Sequence, residues 1–122
     1  MIQRSGTRRG LVVAAALLGA TLVCRELLQR RGEASLEGAV ALVTGGSRGL
    51  GFLLARELVR EGCRIAICAR DAVELERASR DLAREGGEVV ALVCDVSDRA
   101  QVERMVAEAT RRLGLVDILV NN

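Results

Sequence analysis

The sequence is poor in aromatic residues and contains no histidine, tyrosine or tryptophan. Phe52 is the one aromatic residue, so the core of a folded domain must be built from Leu, Val, Ile and Ala side chains. Lysine is also missing, and every basic residue is an arginine. Without histidine, the chain lacks the side chain that most often acts as a general acid or base near neutral pH. The sequence therefore predicts no catalytic residue.

Charge and cysteine spacing exclude two further kinds of site. The formal net charge is only +2, and from Arg56 onward basic and acidic residues are interleaved. The sequence therefore predicts no nucleic-acid partner. The four cysteines have neither metal-like nor redox-like spacing, and no metal site is predicted. Cys68 and Cys94 lie in apolar runs, where the thiol behaves as a small hydrophobe. We expect both to pack in the core of a protein from a reducing compartment.

The first part of the chain, residues 1–31, differs from the rest. An uncharged run from Gly10 to Cys24 lies between arginines on both sides. A helix of about 15 residues spans roughly 22 Å, short of the ~30 Å hydrocarbon core of a bilayer. Snorkelling arginines and the apolar residues Leu27 and Leu28 bring it close to spanning. We expect residues 10–28 to form a hydrophobic helix that anchors the protein to a membrane, with the following domain in the cytoplasm.

Two other interpretations of this segment stay open. The residues Thr7-Arg8-Arg9-Gly10-Leu11 resemble a twin-arginine start, which would make the segment an export signal. No small-residue cleavage site closes the run, which argues against that alternative. The remaining interpretation is a helix that stays in solution. Arginines on both flanks leave the orientation of a membrane helix undecided.

From residue 39 onward, after a polar linker at residues 32–38, apolar runs alternate with amphipathic stretches. The apolar runs predict strands at Val40–Val43, Arg64–Ala69, Glu88–Cys94 and Asp117–Val120. The amphipathic stretches predict helices at Gly49–Glu61, Asp71–Glu85 and from Ser97 or Asp98 to Leu113. A glycine follows each helix, as expected of a helix terminator. Nearly continuous apolar strands joined by helices predict an α/β domain with a parallel sheet covered on both faces.

The most informative motif follows the first strand directly and reads Thr44-Gly45-Gly46-Ser47-Arg48-Gly49-Leu50-Gly51. A strand that leads into a glycine-rich turn and then a helix presents backbone N–H groups and a helix N-terminus to a diphosphate. Gly45 permits a tight turn, and Gly49 and Gly51 permit close approach of backbone and ligand. A strand–turn–helix that binds no ligand is the alternative.

The spacing Thr-Gly-x-x-x-Gly-x-Gly resembles that of the short-chain dehydrogenase/reductase family, in its compact branch. The segment Asp117-Ile118-Leu119-Val120-Asn121-Asn122 is similar to the family's fourth strand and the start of its Asn-Asn-Ala-Gly motif. This resemblance covers Leu36 to Asn122. It implies the first half of a Rossmann-type, doubly wound parallel sheet in the order βαβαβαβ, occupying residues 39–122. It also implies hydride transfer between a nicotinamide cofactor and an alcohol or carbonyl substrate.

Two arginines indicate which nicotinamide cofactor to expect. An acid after the second strand commonly binds the ribose 2′-hydroxyl, whereas an arginine there accommodates a 2′-phosphate. Arg70 follows the second strand, and Arg48 lies within the glycine turn. In the family that the chain resembles, this combination goes with NADP(H), which we therefore expect rather than NAD(H). Asp71 could hold a hydroxyl, but we interpret it as the N-cap of the next helix, in a capping box with Glu74.

The same resemblance assigns further residues to the cofactor. Asp95 and Val96 correspond to a pair that contacts adenine, and Asn122 to a residue near the cofactor. The cofactor-binding residues expected are Gly45, Gly46, Ser47, Arg48, Gly49, Leu50, Gly51, Arg70, Asp95, Val96 and Asn122.

The family's proton relay consists of a tyrosine, a lysine and a serine that lie beyond the fourth strand. This chain contains neither tyrosine nor lysine, so we expect it to be inactive alone. A doubly wound sheet that stops after the fourth strand leaves an open apolar edge at Asp117–Val120, so we also expect marginal stability. Substrate binding and homo-oligomer formation are expected only in a longer form. A non-catalytic, membrane-tethered nucleotide-binding module is the alternative, and an anchored fragment without cofactor is a third interpretation.

Overall fold

The computed structural model describes the backbone of residues 2–4 and the whole of residues 35–122. The hydrophobic segment predicted at residues 10–28 lies outside the described residues, and its role as an anchor stays a prediction. Within the described part of the chain, no helix is long and apolar enough to cross a membrane.

Five strands and three helices make up the described structure. The strands are β1 (Ile2–Arg4), β2 (Val40–Thr44), β3 (Arg64–Ala69), β4 (Val89–Val93) and β5 (Ile118–Val120). The helices are α1 (Gly49–Arg60), α2 (Ala72–Arg84) and α3 (Arg99–Leu113). From β2 onward, strands and helices alternate in the predicted order, with ends that differ from the prediction by at most a few residues. The α/β class is confirmed.

The sheet has the strand order β1-β5-β2-β3-β4. β2, β3, β4 and β5 run parallel, with Thr44 of β2 opposite Cys68 of β3 and Val43 opposite Val120 of β5. The chain moves outward from β2 to β4 and then crosses back, so that β5 pairs with the other side of β2. The strand order therefore reverses at β2, and a crevice opens there at the carboxyl ends of the strands.

The expectation of an open edge at β5 is wrong. β1 pairs antiparallel with β5, so that Ile2 lies opposite Val120 and Arg4 opposite Ile118. The three residues of β1 pair with backbone donors and acceptors that β5 would otherwise present to solvent. A strand of three residues is too short to leave a periodic pattern in the sequence, which is why the pairing was not foreseen.

Aliphatic side chains fill both faces of the sheet, as the scarcity of aromatics requires. On one face, α1 and α2 bury residues such as Leu54, Leu75 and Leu82 against Ile65 and Ile67. On the other face, α3 buries Met105, Ala109 and Leu113 in a second cluster. Cys68 and Cys94 are part of that cluster at 0% and 1% exposure, which confirms their assignment to the core.

Candidate functional site

A cleft of about 1020 Å³ opens where β2, β3 and β4 end. Four segments line it: the turn after β2, the β3–α2 junction, the residues after β4, and the chain beyond β5. The lining residues are Thr44, Gly45, Ser47, Arg48, Gly49 and Leu50; Cys68, Ala69, Arg70, Asp71 and Glu74; Cys94, Asp95, Val96 and Ser97; and Asn122. Nine of the predicted cofactor-binding residues are among them.

Glycine is required in the turn for two separate reasons. Gly45 and Gly49 have φ angles of 63° and 57°, in the left-handed region that side chains disfavour. Gly51 lies behind the cleft surface, where an added Cβ would overlap the Gly45 carbonyl oxygen. Gly46 is also buried, and its N–H donates to the Cys68 carbonyl oxygen at 3.1 Å. Gly46 and Gly51 therefore hold the turn in place, and the other predicted residues form the surface of the cleft.

The three helices begin differently. Asp71 caps α2 by accepting hydrogen bonds from the N–H groups of Val73 and Glu74, each at 2.9 Å, which confirms its interpretation as an N-cap. Asp98 caps α3 by accepting from the N–H of Gln101 at 3.1 Å. At the start of α1, Arg48 makes no side-chain capping bond, and the first turn holds no acidic residue.

This difference decides where an anion can bind. The first N–H groups of a helix have no partner within the helix, and they carry its positive dipole end. In α2 and α3 an aspartate already satisfies part of that demand. The first turn of α1 borders the cleft without such a partner, so its amides can bind an anionic group there.

Two arginines and three carboxylates line the cleft: Arg48 and Arg70, and Asp71, Glu74 and Asp95. Arg48 is 80% exposed, and its Nη1 lies 3.5 Å from Oε1 of Glu74. Arg70 is also exposed and lines the same cleft. Glu74 was expected to complete a capping box, but its side chain reaches across to Arg48. The sequence places Glu74 three residues after the cap, which gives no indication of a partner 26 residues away.

The residues after β4 form a polar turn with an apolar tip. Oδ1 of Asp95 accepts hydrogen bonds from the Ser97 hydroxyl at 2.7 Å and from the Ser97 N–H at 2.9 Å. These bonds hold the pKa of the Asp95 carboxyl below its usual value, and the charge of Arg70 adds a smaller effect. Val96 is 57% exposed at the same edge. An apolar side chain in that position can pack against a flat ring.

Asn122 connects the end of β5 to the glycine turn. Its side-chain Nδ2 donates to the Gly45 carbonyl oxygen at 3.4 Å, and its N–H donates to the Thr44 hydroxyl at 3.0 Å. The Thr44 hydroxyl also lies 3.3 Å from the Val120 carbonyl oxygen and 3.3 Å from Oδ1 of Asn121. Thr44 was not among the predicted site residues, although it opens the motif. It ties the end of β2 to the end of β5 beneath the cleft.

Comparison with known proteins agrees with this geometry. Residues 39–122 match the family model described as short chain dehydrogenase. A putative ketoacyl reductase of the granaticin polyketide synthase from Streptomyces violaceoruber is 49% identical over 83 residues, 68% of this chain and 30% of the relative. A tropinone reductase homolog from Arabidopsis thaliana is 46% identical over 89 residues, 72% of this chain and 33% of the relative. The chain thus spans about a third of the length of these relatives.

Solved structures match over the same region. The F189W actinorhodin polyketide ketoreductase with NADPH superposes with a TM-score of 0.69 at 40% identity, covering 73% of this chain and 34% of that protein. A metagenomic short-chain oxidoreductase in complex with NADP gives a TM-score of 0.68 at 38% identity, covering 73% of this chain and 40% of that protein. The fold is shared with these structures, and together with the family match it shows that this chain belongs to the short-chain dehydrogenase/reductase family.

Proposed function

We propose that residues 39–122 are the NADP(H)-binding part of an oxidoreductase that transfers hydride between a nicotinamide and an alcohol or carbonyl carbon. The start of α1 carries this proposal, because it borders the cleft uncapped while α2 and α3 each use an aspartate. The NADPH and NADP complexes among the similar structures support the same cofactor.

The residues present fit such a cofactor group by group. The glycine turn and the first amides of α1 suit the diphosphate. Arg48 and Arg70 offer two guanidinium groups to a 2′-phosphate, which a guanidinium binds with paired, charge-assisted hydrogen bonds. Val96 provides an apolar contact for adenine, and Oδ2 of Asp95 is the oxygen that we assign to the adenine amine. When bound, the cofactor supplies the hydride chemistry, and these side chains bind and orient it.

The proton relay of the reaction is not available from this chain, which contains neither tyrosine nor lysine. Buried thiols do not replace it: burial raises the pKa of Cys68 to about 11, so the thiol stays protonated at neutral pH. We therefore expect the 122-residue chain to bind the cofactor without reducing or oxidising a substrate. We expect a substrate and a homo-oligomer only for a longer form of the protein.

Binding to immobilised adenosine 2′,5′-bisphosphate tests this proposal. The wild-type chain should be retained and should elute with free NADP. Each charge-assisted contact contributes about 1.5–3 kcal/mol, so Arg48→Ala combined with Arg70→Ala should weaken binding by at least ~100-fold. Arg77→Ala combined with Arg80→Ala is the matched control, because both arginines are exposed on α2 outside the cleft. Equal retention of the two double variants, or tighter binding of NAD than of NADP, would contradict the proposal.

The second candidate is a non-catalytic, membrane-tethered nucleotide-binding module. It is supported by the same cleft, by the missing tyrosine and lysine, and by the uncharged run between arginines near the N-terminus. Flotation with phospholipid vesicles tests the tether: the chain should rise with the vesicles, and Leu17→Arg should stay at the bottom of the gradient. Flotation of both proteins to the same extent would contradict insertion of residues 10–28.

A further inference from the structure

We infer that Glu74 is a specificity-determining residue of the cleft, which competes with a 2′-phosphate for Arg48 and so lowers the affinity for 2′-phosphorylated nucleotides. This inference rests on the proposed cofactor site. Glu74 is unusual there, because a carboxylate in the first turn of a helix ordinarily serves that helix. Here its side chain lies at the mouth of the cleft, against an arginine from another element.

The ion pair between Arg48 and Glu74 is weak and therefore exchangeable. The two side chains are 80% and 39% exposed, and the nitrogen and oxygen lie 3.5 Å apart, at the outer limit of a hydrogen bond. Exposed pairs of this kind contribute little to stability. A phosphate dianion offers the guanidinium more charge and better-directed acceptors than one carboxylate oxygen does. The phosphate should therefore displace Glu74 from Arg48.

Displacement leaves an uncompensated charge. Once Arg48 has turned to the phosphate, the Glu74 carboxylate remains at the cleft mouth, close to a dianion of the same sign. Asp71 adds a second carboxylate on the same side, although its Oδ1 is occupied by two amides of α2. An orienting effect of Glu74 on Arg48 would act in the opposite direction, but a weak pair on an 80% exposed side chain orients it little. Competition is thus the larger effect.

The test compares Glu74→Gln with Glu76→Gln in the full chain. Both changes remove one negative charge from α2 and keep the length of the side chain. Glu76 pairs with Arg80 at 3.7 Å instead and does not line the cleft. By isothermal titration with adenosine 2′,5′-bisphosphate, Glu74→Gln should bind about 3- to 5-fold more tightly than wild type. Glu76→Gln should stay within about 2-fold of wild type, and both variants should bind 5′-AMP as wild type does.

A double-variant cycle shows whether Glu74 acts through Arg48. In the Arg48→Ala background, the gain from Glu74→Gln should be smaller than in wild type, because only the repulsion between Glu74 and the phosphate remains to be relieved. An equal gain in both backgrounds would overturn the inference, as would no gain over Glu76→Gln in the wild-type background. If the wild-type chain does not prefer the 2′,5′-bisphosphate to 5′-AMP, the proposed cofactor and this inference both fail. If that preference holds while Glu74→Gln matches Glu76→Gln, this inference alone fails.

Discussion

The starts of α1 and α3 have similar positions in the fold, but they differ in side-chain capping. Each helix follows a strand of the parallel sheet across a short turn. Asp98 closes the start of α3 with its own side chain, whereas α1 begins at Arg48 with no side-chain cap. The capped start satisfies its own polar groups. The uncapped start has no such side chain, and we propose that a ligand binds its first amides, in a turn shaped by glycines with left-handed φ angles.

Of the substitutions that test this difference, one at Gly51 should have the largest effect on stability and on nucleotide binding. A Cβ there would overlap the Gly45 carbonyl oxygen and come within 2.7 Å of Nδ2 of Asn122. We expect Gly51→Ala to lower the free energy of unfolding by about 3 kcal/mol and to abolish binding of adenosine 2′,5′-bisphosphate. Urea unfolding and titration calorimetry measure the two effects.

Gly38→Ala is the control for Gly51→Ala. Gly38 has a φ of 73°, and nothing lies within 4 Å of an added Cβ, so only backbone strain is introduced. That strain should cost about 1 kcal/mol and leave nucleotide binding unchanged. Equal losses of stability in the two variants would show that the turn has room for a side chain.

High pH tests the core around Cys63, which lies at the amino end of β3, at the end of the sheet opposite to the glycine turn. Burial raises the pKa of Cys63 from 9.0 to about 12, so between these values only the unfolded chain loses the proton. The contribution of the Cys63 thiol to the free energy of unfolding should therefore be complete below pH 9. Above pH 9 the free energy of unfolding should fall by about 1.4 kcal/mol per pH unit for this thiol. Urea unfolding of Cys63→Ala at pH 8 to 11 should show a smaller fall than wild type. If the free energy of unfolding falls equally steeply with pH in both proteins, groups other than Cys63 cause the loss of stability.

Removal of a helix cap should have a moderate effect. We expect Asp98→Ala to destabilise the protein by about 1 kcal/mol, because the N–H of Gln101 loses its acceptor. Nucleotide binding should not change, since Asp98 lies outside the residues that line the cleft. Asp81→Ala is the matched control, because it removes the same charge from an exposed pair with Arg84. A similar loss in both variants would mean that charge, and not capping, stabilises the start of α3.

Adding a cap to α1 should have the smallest effect on stability. Arg48→Asp gives the helix the kind of residue that α2 and α3 already have. We expect it to be more stable than Arg48→Ala by about 0.5 kcal/mol, a small gain because the new carboxylate faces Glu74. Both variants should bind adenosine 2′,5′-bisphosphate poorly, and Arg48→Asp more poorly. Better binding by Arg48→Asp than by Arg48→Ala would contradict the role of the uncapped start.

The sequence predicted much of this architecture for identifiable physical reasons. The strands and helices over residues 39–122 were predicted because apolar runs and helix-ending glycines are local signals. The Asp71 cap was predicted because capping depends on neighbours two and three residues away. Contacts between distant residues were missed: Glu74 reaches Arg48, and Ile2–Arg4 pairs with β5. Neither the partner of a surface carboxylate nor the pairing of a three-residue strand leaves a periodic trace.

The position of Asn122 has a practical consequence. Its side-chain carboxamide lies against both Gly45 and Gly51. A change in the turn therefore alters the surroundings of the two protons on Nδ2 of Asn122. In a ¹⁵N-labelled sample, the side-chain resonances of Asn122 should serve as a built-in reporter of occupancy. No dye or engineered label is needed to follow the nucleotide.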